Sequence, residues 1–369
     1  MALRRIGLAL TVAAIVGSGC AGAASLSPVA SGSSQGGAPA AASVNPTSSP
    51  AVATSPSPSP SSAVGRLPVG RIVFDRLRDS PEGDFRGMFT LGTDGVEREV
   101  KLPVQPDYED GVWSSAGTSL VVNSYTDGKG SAVGTFDLAS GAYRVIAPKG
   151  MADGLDCSDW SPDDKTVVCG FGSSDKSRDG IYTVDVASST ATRLTHSAYH
   201  DTVGTAGECG GGENRGVYSP DGKRIAYEQQ KCGTGPDPSS DETGQIVVIA
   251  ADGSSPRILV PFGGVRTHPG GEISWSPDGK LIAYGSQTGE LMVIGADGSG
   301  QRSIAVPQTA DGVRAIGPAW SPDGRWLLVG VGGSGRFDLF AVAADGSTSI
   351  QLTATDLTEA YTDWTAAPG

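Results

Sequence analysis

The chain has 369 residues, a formal net charge of −13, 54 glycines and 24 prolines. This length allows one large domain with a sizeable core. The negative balance argues against a protein that binds nucleic acid or docks electrostatically on anionic lipid, because both of those surfaces are themselves negative. An acidic surface also keeps a protein in solution, so the charge identifies no partner.

The first twenty residues have the pattern of an export signal. Arg4 and Arg5 precede an apolar stretch over residues 6–16, which is too short for a standard membrane span, and Gly17-Ser-Gly-Cys20 follows it. The small residues before Cys20 resemble the lipobox of bacterial lipoproteins, although Gly17 stands where such sites usually carry leucine. We therefore predict a signal peptide over residues 1–19, lipidation of Cys20, and anchoring on the extracytoplasmic face of a membrane. An ordinary cleaved signal is the alternative.

Residues 20–65 are predicted to form a tether. After Cys20 the segment is rich in Ala, Ser, Pro, Gly and Thr, and it contains no Asp, Glu, Lys or Arg. Such a composition cannot bury a core, so we expect this part to be disordered. The folded domain is expected over residues 66–369.

That domain repeats one phrase, best seen as Trp275-Ser-Pro-Asp-Gly-Lys-Leu-Ile-Ala-Tyr284. The other copies are residues 113–122, 160–169, 218–227 and 320–329, with a last fragment at Asp363-Trp364-Thr365. The steps between the aromatic anchors are 47, 58, 57, 45 and 44 residues. A period of this length, built only of strand-like runs, is typical of a β-propeller.

Each unit contains four short apolar runs separated by turns. Ser276-Pro-Asp-Gly279 predicts a tight turn because Pro presets φ, Asp bonds the local backbone and Gly accepts a positive φ. The repeated aspartates are therefore interpreted as turn residues and not as calcium ligands. The recurring tryptophans are interpreted as core anchors between blades.

The first unit is incomplete. Residues 71–75, 88–91 and 98–102 give three strands with no preceding Trp strand, whereas Tyr361-Thr-Asp-Trp364 is a Trp strand with no unit after it. Joined, these segments make a sixth blade and leave no unprotected blade edge. We therefore predict an all-β, six-bladed β-propeller of four-stranded antiparallel blades, closed by the C-terminal strand joining the N-terminal blade.

The repeated phrase resembles that of the TolB-like six-bladed propellers over residues 66–369. The sequence ahead of residue 66 offers no counterpart to the amino-terminal α/β domain of TolB itself. The resemblance implies an extracytoplasmic binding, scaffold or sensor protein, without catalysis, that binds a protein or a cell-wall ligand. It implies no cofactor, and a propeller of this kind is expected to be monomeric.

Four cysteines remain once Cys20 is assigned to the anchor, and four cysteines permit three pairings. Cys157 and Cys169 lie equally far on either side of the turn at 161–165, and Cys209 and Cys232 flank the next repeat turn almost as evenly. Hairpin geometry therefore favours the pairs Cys157–Cys169 and Cys209–Cys232, which suit an exported protein. A metal site is the alternative for these residues.

Propeller geometry separates short turns from long loops. The Ser-Pro-Asp-Gly and Ala-Asp-Gly turns fall on one face of the ring, whereas the irregular loops fall on the other, which we call the long-loop face. These loops are residues 76–87, 124–131, 171–180, 196–214, 229–244, 261–271, 306–316 and 353–360. Binding residues concentrate on irregular loops of a rigid scaffold. The candidate contact residues are Tyr108, Tyr199, His200, Asn214, Arg215 and Arg266.

All three histidines of the chain also fall on this face: His196, His200 and His268. Imidazole is a common transition-metal ligand, and some polysaccharide lyases with related repeats hold a divalent metal on a histidine cluster. The alternative function is therefore a metal-dependent polysaccharide lyase or hydrolase. It requires the three imidazoles to converge on one point, whereas surface histidines that only make hydrogen bonds would not.

Overall fold

The computed structural model describes residues 65–78, 85–103, 108–126, 130–199, 212–232, 242–265, 273–310, 312–333 and 336–366. The predicted signal peptide, Cys20 and the tether up to residue 64 lie outside these residues. In the part described, the chain forms six four-stranded antiparallel sheets, as the repeat predicts. No helix within it is long and apolar enough to cross a bilayer.

Each sheet is one blade, whose four strands follow one another in the order inner, second, third and outer. Blade 1 consists of Thr358–Thr365 (β24), Arg71–Arg78 (β1), Phe85–Gly92 (β2) and Glu97–Glu99 (β3). Blade 2 consists of Tyr108–Trp113 (β4), Ser119–Thr126 (β5), Gly130–Asp137 (β6) and Tyr143–Val145 (β7). Blade 3 consists of Leu155–Trp160 (β8), Thr166–Phe171 (β9), Gly180–Asp185 (β10) and Ala191–Arg193 (β11).

The other three blades repeat this order. Blade 4 consists of Gly212–Tyr218 (β12), Arg224–Lys231 (β13), Thr243–Ala250 (β14) and Arg257–Val265 (β15). Blade 5 consists of Ile273–Trp275 (β16), Leu281–Gly285 (β17), Leu291–Gly295 (β18) and Arg302–Ile304 (β19). Blade 6 consists of Arg314–Trp320 (β20), Trp326–Gly333 (β21), Arg336–Ala343 (β22) and Ser349–Gln351 (β23). The inner strands contact one another in the cyclic order β24, β4, β8, β12, β16, β20 and β24 again, so the ring is closed.

An aromatic residue at the end of each inner strand packs between blades. The five tryptophans at this position are all buried, at 3–6% exposure: Trp113, Trp160, Trp275, Trp320 and Trp364. The indole Nε1 of Trp160 donates to Val112 O, and that of Trp275 to Val217 O, both at 3.2 Å. These bonds join blade 3 to blade 2 and blade 5 to blade 4. The tryptophans are therefore core anchors, as predicted.

The residue just before the anchor makes a second kind of bridge in alternate blades. Asp363 Oδ2 accepts from Trp113 N at 2.8 Å, Asp159 Oδ2 accepts from Tyr218 N at 2.7 Å, and Ser274 Oγ accepts from Trp320 N at 3.2 Å. Blades 1, 3 and 5 thus each hold the backbone of the following blade. The matching residues of blades 2, 4 and 6 are Val112, Val217 and Ala319.

The Ser-Pro-Asp-Gly turns use their own polar atoms. Ser276 Oγ donates to Asp278 Oδ1 at 2.7 Å and accepts from Leu281 N at 2.9 Å. The same Asp278 oxygen also accepts from Lys280 N at 3.1 Å, and these bonds lower the pKa of Asp278. Gly279 has φ +68°, which glycine adopts without strain. The repeated aspartates therefore act as turn residues, in agreement with the sequence.

One departure from the repeat compensates for another. Blade 3 has Asp164 where the other turns have glycine, and its φ is +56°. The Asp164 carboxylate accepts from Ser115 N at 2.7 Å and from Ala116 N at 3.0 Å. These N–H groups belong to the blade 2 turn, which lacks the Pro and Asp of the repeat. The strained residue of one turn thus stabilises the degenerate turn beside it.

A strap over residues 65–70 supports the ring closure made by β24 and β1. Gly65 N donates to Gln351 O of blade 6 at 2.8 Å, and Trp364 Nε1 donates to Val69 O at 2.8 Å. Between these bonds Leu67 is 2% exposed and packs in a cluster with Leu352 and Trp364. The strap therefore spans the seam between the last blade and the first.

One predicted disulfide is present in the structure. Cys157 and Cys169 face each other across β8 and β9 and are joined, and both are fully buried. Cys232 is also in a disulfide. Its predicted partner, Cys209, lies outside the described residues.

We expect Leu67→Ala to lower the free energy of unfolding by about 2–4 kcal/mol, because it leaves a cavity in a buried cluster at the ring seam. Urea denaturation followed by tryptophan fluorescence measures the change. Arg66→Ala is the matched control, since Arg66 is the exposed neighbour in the same strap. Indistinguishable midpoints for the two variants would show that the strap does not support the closure.

The two bridging carboxylates predict a pH dependence. Burial raises the pKa of Asp363 to about 6, and burial together with the Asp363 charge raises the pKa of Asp159 well above its usual value. Between pH 4 and 6 these two carboxylates therefore bind more protons in the folded state than in the unfolded state, so their contribution to stability falls as pH rises through this window. The expected loss from Asp363 is on the order of 2 kcal/mol.

Thermal unfolding from pH 4.5 to 7.5 tests this expectation. Compared with the natural protein, Asp363→Asn should lose less stability, or gain more, as pH rises, whatever its absolute stability, because the amide does not titrate. If stability changes with pH equally in the variant and the natural protein, groups other than Asp363 cause the pH dependence.

Candidate functional site

The structure places the predicted contact residues in two settings. Tyr199 and His196 lie in the connection that follows the outer strand β11. Tyr108, Asn214 and Arg215 were expected in loops, but they belong to inner strands β4 and β12. That expectation was wrong because these strands begin five and six residues before their aromatic anchors. His200, Arg266 and His268 lie outside the described residues.

Tyr199 forms an aromatic cluster with two residues of blade 4. Its ring packs edge-on against Phe262, with centroids 5.3 Å apart. The ammonium of Lys231 lies 4.7 Å from the centre of the Phe262 ring, which is a cation–π contact. Tyr199 and Phe262 are both partly exposed, and Lys231 is exposed. We call Tyr199, Lys231 and Phe262 the aromatic cluster.

The segment that carries Tyr199 is held in place by hydrogen bonds. Ser197 Oγ donates to Tyr199 O at 2.6 Å, and Ser197 N donates to Asp179 O at 3.1 Å. Arg193 donates to three carbonyls around the same segment, those of Thr195, Ser177 and Asp179. The Tyr199 ring is therefore presented by a fixed piece of backbone.

Phe262 was missed by sequence reasoning because its strand continues through apparent strand breakers. Residues 261–271 were expected to be a loop, since Pro261, Gly263 and Gly264 interrupt the apolar run. The structure instead extends β15 to Val265, which pairs with Gly244 and is fully buried. The other outer strands have three residues and β15 has nine. The extension places Phe262 beside the connection from blade 3.

A buried carboxylate on the inner strand β12 binds the segment that follows β11. Glu213 Oε1 accepts from Gln229 Nε2 at 2.7 Å, and Oε2 accepts from Thr195 Oγ1. Burial raises the pKa of Glu213, and the two hydrogen bonds oppose that shift. The aromatic cluster is thus joined to the central ring by a polar network.

Arg215 has a backbone conformation that blade 6 gives to a glycine at the corresponding position. It lies three residues before Tyr218, at a bulge of β12, with φ +52°. Gly317 lies three residues before Trp320, at the corresponding bulge of β20, with φ +59°. A non-glycine residue in this region costs roughly 1–2 kcal/mol. Such strain clusters at functional positions. Arg215 therefore stays a candidate contact residue, because its side chain would be the reason for keeping an arginine here.

The histidine hypothesis is not tested by these residues. His196 is exposed, and no group of three or more His, Cys, Asp or Glu side chains in the described part is arranged to hold a metal ion. The convergence of His196 with His200 and His268 stays a prediction.

Comparison with known proteins agrees with this geometry. The TolB beta propeller domain family matches residues 94–367. The chain belongs to the TolB β-propeller family. A search of curated protein sequences finds no match.

Two solved structures show how the fold of this TolB-family chain compares. TolB from Acinetobacter baumannii superposes with a TM-score of 0.59 at 18% identity, over 80% of this chain and 66% of that chain. The chain therefore spans slightly less than two thirds of that TolB. A chain of a nidogen/laminin complex superposes with a TM-score of 0.55 at 9% identity, over 80% of this chain and 98% of that chain. At these identities the likeness concerns the fold alone.

In this TolB-family propeller, the strain at Arg215 predicts that glycine is more stabilising than alanine at that position, the reverse of the usual order in a strand. Arg215→Gly should be more stable than Arg215→Ala by about 1 kcal/mol, because only glycine is unstrained at this φ. Thr192, an exposed position in strand β11, is the control. There the alanine variant should be more stable than the glycine variant. Chemical denaturation of the four variants measures both differences. If alanine is the more stable replacement at both positions, Arg215 is not strained.

Proposed function

We propose that this TolB-family propeller is a lipid-anchored extracytoplasmic binding or scaffold protein that holds a protein partner on its long-loop face. The observation that carries the proposal is the aromatic cluster. Tyr199 comes from the connection after β11, Phe262 from the extension of β15 and Lys231 from the end of β13. Tyrosine is enriched among the residues that dominate binding energy, and phenylalanine is enriched at protein interfaces.

The distribution of polar groups supports the choice of face. On the tight-turn face the repeated Ser and Asp side chains satisfy their own turns. On the long-loop face Tyr199, Phe262 and Lys231 have no counterpart in the repeat and no place in the buried clusters. Residues without a repeat-wide structural role are the ones free to diverge toward a ligand.

The disulfides and the N-terminal pattern support the proposed location. Structural disulfides persist in oxidising compartments, and Cys157, Cys169 and Cys232 are all disulfide-bonded. The export signal and the small residues before Cys20 add an anchor on the outer side of a membrane. A tether of about 45 residues would let the propeller reach a partner away from the bilayer.

Affinity capture from envelope extract tests the proposal. The full-length protein, extracted in mild detergent, is compared with Tyr199→Ala/Phe262→Ala. The double variant should lose at least tenfold in affinity for the captured partner, because two aromatic anchors are worth more than about 1.4 kcal/mol at an interface. Its melting temperature should change little, since neither ring lies in the core.

Val145→Ala is the matched control. Val145 is 53% exposed on the outer strand of blade 2, so the change removes apolar surface from the rim and not from the cluster. Equal losses for the control and the double variant, or none for either, would refute the assignment of this face.

A further inference from the structure

A cleft lies between blades 4 and 5 at the tight-turn face. Its volume is about 670 Å³. Three of its lining residues are cations and one is a carboxylate, and most of the others are small: Arg224, Arg257, Lys280, Leu281, Gly295, Ala296, Asp297, Ser299 and Gly300. In a chain with a net charge of −13, this lining is locally positive.

Two of the cations are held rigidly. Arg257 donates from Nη1 to Asp297 O at 2.8 Å and from Nη2 to Ala296 O at 2.5 Å. Arg224 donates from Nη2 to Gly279 O at 3.3 Å, and its guanidinium lies 4.6 Å from the centre of the Trp275 ring. The Nε of each arginine, and Nη1 of Arg224, have no acceptor among the described residues. Fixed guanidinium groups with donors to spare suit an oxyanion.

A carboxylate lies near each of the three cations: Asp221 near Arg224, Asp297 near Arg257 and Asp278 near Lys280. All three carboxylates are exposed, so water screens their attraction for the cations. Asp297 Oδ1 accepts from Ser299 N at 2.9 Å and from Ser299 Oγ at 2.6 Å, and these bonds hold the carboxylate in its own turn. Lys280 Nζ lies 3.1 Å from Asp278 Oδ2, but their side chains are 79% and 55% exposed. An ion pair this exposed is weak, so the lysine is able to turn toward a ligand.

The repeat shows that this combination of charges is particular to one interface. The cleft brings together three repeat positions. Two belong to one blade, the first residue of its second strand and a residue of its outer strand, and the third directly follows the inner-strand turn of the next blade. For the successive interfaces these are Arg71, Arg98 and Thr118; Ser119, Arg144 and Lys165; Thr166, Thr192 and Lys223; Arg224, Arg257 and Lys280; and Leu281, Arg302 and Arg325. Of these five, the interface between blades 4 and 5 alone has a cation at every position.

The first of these positions has a structural role that needs no charge. In four of these five interfaces the residue there contacts the aromatic anchor of the next blade. Arg71 lies 4.0 Å from the Trp113 ring centre, Thr166 Oγ1 lies 3.0 Å from Tyr218 OH, and Leu281 packs in the cluster of Trp320. Since leucine covers Trp320, the charge of Arg224 is not required to cover Trp275.

We propose that the cleft between blades 4 and 5 binds a multiply charged oxyanion, such as a phosphate group, through Arg224, Arg257 and Lys280. This site lies on the opposite face from the aromatic cluster, and it does not depend on the protein partner proposed above. The phosphate could belong to a small soluble ester or to a lipid headgroup reached on the tether.

Isothermal titration of the full-length protein in detergent with inorganic pyrophosphate tests the site. The natural protein should bind one equivalent, and Arg224→Leu should weaken binding at least tenfold while keeping the cover over Trp275. Arg71→Leu is the control, because it makes the same exchange over Trp113 where the neighbouring Lys position is Thr118. Failure of the natural protein to bind at millimolar pyrophosphate, or equal affinities for the two variants, would overturn the proposal.

The repeat also allows a gain of function. Leu281→Arg completes the three cations at the interface of blades 5 and 6, beside Arg302 and Arg325, and should raise the stoichiometry from one to two. If Arg224→Leu does not fold, Lys280→Gln replaces it, since that side chain is 79% exposed, and it should weaken binding at least threefold. Unchanged binding in Lys280→Gln together with a stoichiometry of one in Leu281→Arg would disprove the site.

Co-sedimentation distinguishes the two sources of phosphate. Vesicles with and without phosphatidic acid, whose headgroup is a phosphomonoester, are mixed with the Cys20→Ser protein, whose only contact with lipid would be through the folded domain. Sedimentation that depends on phosphatidic acid and is lost in Arg224→Leu indicates a headgroup. Pyrophosphate binding without sedimentation indicates a soluble ester.

Discussion

The propeller depends on the buried aromatic residue that ends each inner strand. This residue fills the space between two blades, and its backbone or indole N–H reaches the neighbouring blade. One position therefore supplies both apolar burial and the hydrogen bonds that hold the blades in register. Because the following turn must then reverse the chain at once, its Ser and Asp side chains are committed to backbone groups. The tight-turn face is consequently uniform, and variation accumulates at the opposite end of the strands.

Most of the fold could be predicted because its determinants are local. Trp-Ser-Pro-Asp-Gly specifies an anchor and a turn within five residues, and the spacing of the copies gives the number of blades. The closure also followed from sequence, since an unpaired Trp strand and an incomplete first blade complement each other. The pairing of Cys157 with Cys169 was accessible for the same reason, because both cysteines flank a single turn.

The candidate site could be predicted only in outline. The face was inferred from loop lengths, but Phe262 was not found, because the pairing of Val265 with Gly244 is a non-local event that overrides three strand breakers. Asn214 and Arg215 were placed in a loop since a bulge hides the continuation of β12. The cleft between blades 4 and 5 was invisible because its three cations are far apart in sequence and only repeat alignment brings them together.

The alternation of bridges around the ring has a consequence for how such rings can grow. Blades 1, 3 and 5 supply the polar side chain before the anchor, and blades 2, 4 and 6 receive it. The repeating unit is therefore a pair of blades, and the ring consists of three such pairs within one chain. Duplication or loss of a pair preserves every bridge. Duplication of a single blade would place two blades with the accepting side chain, or two blades without it, next to each other. By this parity rule, rings built with these bridges should change size from six to four or eight blades more readily than to five or seven.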